Sequence, residues 1–258
     1  MPDTDAAAFD AGSQGSRTTH IVGRAIREAA IEVRAQIFDT AANMLEAAPE
    51  DLELANEMVS VSGSPSKQIS LAEVAATAQA NSGPISGTGS YTTPMPPINP
   101  TCASGLLFPA FPTPTYHVHV AEVEIDPTTG IVRVLRYLVA QEVGKAINPE
   151  AVRGQIQGGV AQGLGYALWE TLQIDAGRYS QRTLEAYGLP LATDTPEVEI
   201  VLLEHPDPAG PYGAKGVAEP PIIPVAAAIG NAVEHAIGKS VNTIPITAER
   251  VLEALSGS

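Results

Sequence analysis

The chain has 258 residues, 44% of them hydrophobic and 5% aromatic, with 23 glycines and 22 prolines; that apolar share can bury a core as one large domain or two intimate layers. A formal net charge of −15, from 14 basic and 29 acidic residues, argues against nucleic-acid binding by phosphate neutralisation and against docking on anionic membranes. The lone cysteine, Cys102, excludes an internal disulfide framework and any Cys-rich zinc or iron–sulfur centre held by this chain alone.

The first residues, Met1-Pro2-Asp3-Thr4-Asp5, lack the basic start and apolar run of a signal peptide, and the apolar stretches farther on are broken by Gly, Asn or Gln. The expectation is a soluble cytoplasmic protein without membrane insertion. From Ile21 to Ala48, apolar residues recur at helical spacing (Ile26, Ala29, Ala30, Val33, Ile37, Ala41, Met44, Leu45), and Pro49 follows, which predicts a long amphipathic helix. Leu52, Leu54, Val59 and Val61 alternate around an Asn56-Glu57 turn and predict a small hairpin. Ser70 and Glu73 have the spacing of a capping box that opens a second helix.

Residues 81 to 114 form a tract of Gly, Ser, Thr and Pro too long for an ordinary connection, expected to be a functional loop or a partner-wrapping arm. Tyr116 to Ile125 alternates, Asp126-Pro-Thr-Thr-Gly130 makes a turn, and Ile131 to Val139 resumes as a strand, which together predict an antiparallel hairpin. Asn148-Pro149 reads as a cap followed by a first-turn proline, starting a helix through Gly154, Gly158, Gly159, Gly163 and Gly165 toward Leu172. Each interior glycine costs about 0.5–1 kcal/mol against alanine, so another backbone or a cofactor is expected to approach that helix closely. Val198 to Leu203 reads as a strand, Gly210 to Pro221 as a loop, and Ile222 to Ile237 as a last long helix ending at Gly238. The fold class is α+β, with mixed sheets, antiparallel hairpins and long packed helices, and the chain divides into at most two lobes, about 1–110 and 111–258.

Three Gly-rich polar segments carry what chemistry the sequence shows: Gly12-Ser-Gln-Gly15-Ser16-Arg17-Thr18-Thr19, Gly158-Gly-Val-Ala-Gln162-Gly163-Leu-Gly165 and Gly213-Ala-Lys215-Gly-Val-Ala-Glu219-Pro-Pro221. The first, ahead of a helix, is either an ordinary Ser/Thr cap or a set of donors for an anionic ligand. Gln162 is either an interior glutamine facing a neighbouring loop or a ligand contact. Glu219 is either a solvated loop glutamate or, among its apolar neighbours, a desolvated carboxylate poised as a base. His117 and His119 share one strand face without a third ligand nearby, which favours structural histidines over a metal site. Cys102 has no neighbouring base, and there is no Ser-His-Asp order, P-loop or dinucleotide fingerprint.

Taken together, the chain resembles the C-terminal half of the molybdenum-binding subunit of the xanthine oxidase family. The carriers are Asp3-Thr-Asp5 leading to Gly15-Ser16-Arg17-Thr18-Thr19, the hairpin Ala121-Glu-Val-Glu-Ile-Asp-Pro-Thr-Thr-Gly130, Val143-Gly-Lys-Ala-Ile-Asn-Pro149, Gly154-Gln-Ile-Gln-Gly-Gly-Val-Ala-Gln-Gly-Leu-Gly165, and Gly210-Pro-Tyr-Gly-Ala-Lys-Gly-Val-Ala-Glu-Pro-Pro221. The resemblance implies the second molybdopterin-binding domain of such a subunit, holding molybdenum as the molybdopterin cytosine dinucleotide. It implies hydroxylation of an N-heteroaromatic compound or aldehyde with oxygen from water, Glu219 being the base. By the same resemblance Gly15, Ser16, Arg17, Thr18, Gln162, Gly163, Lys215, Gly216, Val217 and Ala218 line the cofactor, with Gly15 and Gln162 near molybdenum and no side chain ligating it. Ala218 stands where the family usually has glycine. The family's N-terminal half has no counterpart here, so a split gene is expected, completed by a second molybdenum-subunit half and by iron–sulfur ([2Fe-2S]) and FAD subunits that take the electrons. Two alternatives remain open at this point: a non-catalytic scaffold or assembly subunit, and a carbon monoxide dehydrogenase-like subunit.

Overall fold

In the computed structural model, residues 3, 5, 12–93 and 113–257 are described. They group into two compact units, one of residues 20–94 and one of residues 1–19 with 95–258. Most of the 81–114 tract, and Cys102 with it, lies outside the described residues.

The unit of residues 20–94 is built on α1 (Thr18–Leu45). Phe38, Ala41, Ala42 and Leu45 on its last turns pack with Leu52, Val59 and Val74 into a small core. The apolar face expected along the whole helix is thus buried only toward its end; Ile26 and Ile31 are 63% and 49% exposed. The predicted hairpin is present as β1 (Leu52–Ala55) and β2 (Met58–Val61), joined by Asn56 and Glu57. Both turn residues have positive φ, as the two-residue turns that match strand twist require. A third strand, β3 (Ser64–Ser70), pairs with β2; its polar sequence shows no alternation and did not announce it. Ser70 caps α2 (Leu71–Asn81) with the full capping box: its hydroxyl accepts the Glu73 amide while the Glu73 carboxylate accepts the Ser70 amide. The described start of the Gly/Ser tract lies along α1, where Gln36 bonds Ser86 and Glu32 accepts the Thr88 amide. A Cβ at Gly89 would meet the Ala25 carbonyl at 1.8 Å, so glycine is what lets the two backbones approach.

The second unit is organised by a three-stranded sheet in the order β4 (His117–Ile125), β5 (Val132–Glu142), β8 (Val198–Leu203). The hairpin β4–β5 is antiparallel, with a bulge between Glu122 and Val123, and β5–β8 is parallel. A parallel pair needs a long crossover, and α3 (Pro149–Leu168) supplies it. Between α3 and β8 lie the two-residue strands β6 (Ile174–Asp175) and β7 (Arg178–Tyr179) and the short α4 (Leu184–Tyr187). The last helices are α5 (Val225–Ile237), ended by Gly238 as expected, and α6 (Ala248–Ser256), which the sequence analysis did not anticipate. The core joins Tyr137 and Val139 of β5 with Ile156, Val160 and Leu164 of α3 and Val225, Ile229 and Val233 of α5. No helix among the described residues is long and apolar enough to cross a membrane.

The five glycines of α3 separate by the face they occupy. Gly159 lies against Pro221 and Gly163 against Val225, where a Cβ would come within 2.6 and 2.4 Å, so these two admit close packing of the chain on itself. Gly165 is closed in by Glu170 and Pro190. Gly154 and Gly158 face open space, and with Gln162 they form one exposed stripe at i, i+4 spacing.

His117 and His119 sit on the half-buried side of β4, and His119 Nδ1 is 3.0 Å from the Tyr137 hydroxyl. Burial, and secondarily the charge of His117, lowers the His119 pKa from 6.5 to about 4, and burial lowers that of His117. In the unfolded chain both rings return to ordinary values, so between about pH 6.5 and 4 the unfolded state binds more protons. The contribution is therefore fully present above the unfolded value and is lost as pH falls toward the folded one. Because the His119 ring keeps some access to water, screening reduces the contribution to about 1–2 kcal/mol. Urea midpoints at neutral pH and near pH 5 are expected to differ less in a His119→Gln variant than in the wild type; equal differences would refute this account.

Candidate functional site

The segment that precedes α1 and the loop that follows β8 meet. Ser16, with φ 57 after Gly15 at φ 63, turns its hydroxyl toward Glu219. Ser16 Oγ donates to Glu219 Oε2 at 3.1 Å and accepts the Glu219 amide at 2.8 Å. Among the described residues no donor is held to Oε1. Gly216 lies against the same turn, since a Cβ there would meet the Ser16 carbonyl at 2.5 Å. Glu219 itself is exposed. Of the two readings the sequence left open, this chain by itself shows the exposed one: Pro221 packs on Gly159 and Val217 lines the neighbouring cleft.

That cleft has a volume of about 390 Å³, within the range of small-molecule sites, roughly 300–1,000 Å³. Ser13, Ser16, Thr18 and Thr19 give it hydroxyls, and Ser13 and Thr18 bond each other at 2.7 Å. Lys145, Asn148, Ala151 and Gln155 bring the start of α3, while Ala214, Lys215, Val217 and Ala218 bring the loop. Asn148 caps α3 by accepting the Ala151 amide at 3.0 Å, as its Asn-Pro sequence predicted. A larger hollow of about 580 Å³ lies on the outward face of the sheet, lined by Val120, Glu122, Leu135 and Glu199. It holds none of the expected site residues, and the smaller cleft is where several of them gather.

Of the expected site residues, Ser16, Thr18, Lys215, Val217 and Ala218 line the cleft, Gly216 packs beside it, and Glu219 stands next to it through Ser16. Gly15 precedes Ser16 in the same turn, with open space over its Cα, and Arg17 is half-buried. Gln162 is exposed on the open stripe of α3 and is not among the cleft's lining residues. Gly163 is buried with its Cα against Val225, which gives it a packing role. Lys145 and Gln155 were not anticipated; both flank the Asn148-Pro149 helix start, the signal that placed them within reach of the cleft.

The donor set fits a pterin cofactor: hydroxyls and a helix start in one cleft, glycines where a Cβ would fill the adjoining space, and a carboxylate at the edge. No group of three or more potential metal-ligating side chains is found among the described residues.

Residues 1–196 match the family of molybdopterin cofactor-binding domains. The 6-hydroxypseudooxynicotine dehydrogenase complex subunit gamma of Paenarthrobacter nicotinovorans is 36% identical over 99% of this chain and 31% of its own length. The xanthine dehydrogenase molybdenum-binding subunit of Escherichia coli O157:H7 is 32% identical over 97% of this chain and 32% of its own. Quinoline 2-oxidoreductase from Pseudomonas putida 86 shares the fold with a TM-score of 0.79 at 31% identity, covering 98% of this chain and 32% of that one. The chain spans about a third of the length of these relatives. With a family match over most of its length and relatives similar along nearly all of it, the chain belongs to the molybdopterin cofactor-binding family of xanthine oxidase-type subunits.

Proposed function

We propose that this chain supplies one part of the active site of a molybdenum hydroxylase, with Glu219 as the base. The observation that carries the reading is the reciprocal pair of bonds between Ser16 and Glu219 at the edge of a hydroxyl-lined cleft. Ser16 holds Oε2 and the Glu219 amide, which aims the carboxylate and leaves Oε1 to accept a proton. A bound molybdenum–pterin group supplies the redox chemistry and uses oxygen from water. Gly15, Ser16, Arg17 and Thr18 would hold it on one side and Lys215 to Ala218 on the other, with Gln162 and the open Gly154–Gly158 stripe facing its molybdenum end or a partner's backbone.

The finer reading follows the resemblance. The cofactor is the cytosine dinucleotide form, the substrate an N-heteroaromatic compound or aldehyde, and electrons leave to [2Fe-2S] and FAD subunits in a cytoplasmic complex. A second chain that supplies the rest of the molybdenum-binding subunit completes the cleft. The names of the 6-hydroxypseudooxynicotine dehydrogenase and quinoline 2-oxidoreductase relatives support the N-heteroaromatic part of that class. The two-lobed division at about residue 110 stays part of this proposal. Molybdenum and released CMP, measured per chain in the complex that purifies with it, test the reading. Near-stoichiometric amounts of both are expected; a native complex free of both would establish a scaffold instead.

A further inference from the structure

We infer that Glu142 positions the Glu219 segment through a buried ion pair with Lys215. The inference rests on the reading of Glu219 as base but adds a residue outside the family motifs quoted above. Glu142 ends β5 and is 4% exposed, a setting in which a carboxylate is costly unless both oxygens are satisfied. Both are: Oε1 accepts the Gly144 amide at 2.6 Å and Oε2 the Lys215 ammonium at 2.8 Å. The ammonium also donates to the Pro114 carbonyl at 3.3 Å.

Three ends of the sheet converge there. The Glu142 amide donates to the Tyr116 carbonyl just before β4, and the Val143 amide to Leu203 at the end of β8. The loop carrying Lys215 is laid across this junction by the Gly144–Ala214 bridge, by Lys145 donating to Gly213, and by Lys215 donating to Val143. The approach is close: a Cβ on Gly144 would lie 2.3 Å from the Gly213 carbonyl. From Lys215 only Gly216, Val217 and Ala218 lead to Glu219, and none of them belongs to a helix or strand. The segment is therefore held at its start by these backbone bonds together with the Lys215 side chain, and at its end by Ser16. Without the ion pair the backbone bonds alone hold the Lys215 end and the ammonium loses its buried partner, so the loop is expected to loosen; displacements of about 1 Å cost up to about 100-fold in rate.

The test uses the assembled complex with Glu142→Gln, alongside Glu219→Gln and the charge-keeping Glu142→Asp. Glu142→Gln is expected to lower kcat per molybdenum by about 10- to 100-fold with little change in KM, and to speed amide exchange at residues 216–219. Glu142→Asp, which keeps the charge, is expected to lose less than Glu142→Gln, whereas a role limited to filling space would make the shorter side chain the worse of the two. Unchanged exchange at 216–219 overturns the inference, as does unchanged kcat where Glu219→Gln abolishes turnover. If Glu219→Gln keeps full turnover, the base assignment fails by itself, and exchange at 216–219 alone decides whether Glu142 holds the segment.

Discussion

Glu219→Gln is expected to reduce turnover of the assembled complex by about 10²- to 10⁴-fold at unchanged molybdenum content. The amide has the size of the carboxylate, and its oxygen still accepts from Ser16 Oγ. The backbone bond from the Glu219 amide to Ser16 does not involve the side chain at all. What the variant removes is the proton-accepting capacity of Oε1, and the expected loss corresponds to about 3–5 kcal/mol of barrier. Steady-state kinetics together with metal analysis read the two quantities separately. Wild-type turnover with full molybdenum would sink the assignment of the base; loss of the metal along with activity would make the residue a cofactor anchor.

The second large effect lies in the packing of α3 on α5. A methyl at Gly163 would meet Cβ, Cγ1 and Cγ2 of Val225 at 2.4–2.8 Å. Val225 is fully buried and, being β-branched, has no alternative rotamer to retreat into. Gly163→Ala is expected to cost about 1–3 kcal/mol by overpacking, even after a helix-propensity gain of about 0.5–1 kcal/mol. Gly158→Ala, on the open stripe of the same helix, collects that gain without the clash. Denaturation midpoints are therefore expected to move in opposite directions for the two variants, and Val225→Ala is expected to relieve the Gly163→Ala defect. Equal shifts at positions 158 and 163 would remove the distinction drawn between the two faces.

What the sequence made legible were features set by neighbours along the chain. The capping box at Ser70, the Asn56-Glu57 and Asp126–Gly130 turns, the Asn148 cap and the Gly238 stop are local chemistry, and each stands where expected. The β3 strand was not legible, because Ser64–Ser70 is mostly exposed and owes its conformation to pairing with β2. The last helix was open to the same rules that found the others: Thr247 caps it by accepting the Arg250 amide and Gly257 ends it in the left-handed region.

At the site, the Gly-rich segments and Glu219 could be picked out, but their meeting could not, since nothing local relates Ser16 to Glu219. Of the two readings left open for Glu219, this chain by itself shows the exposed one. Apolar neighbours in sequence desolvate a carboxylate only if they pack around it, and here Pro221 and Val217 pack elsewhere. Glu142 went unnoticed because an isolated glutamate at a strand end has no signature until its partner, 73 residues on, is placed beside it.

The bond between Ser16 and Glu219 also sets a condition on when the site can exist. Its partners are separated by 203 residues, so closing it costs loop entropy of about 5 kcal/mol on the logarithmic scaling for flexible chains. A nascent or nicked chain that lacks either partner's segment is therefore expected to hold no aimed carboxylate. On the proposed reading of the cleft, cofactor loading is accordingly expected to follow complete folding.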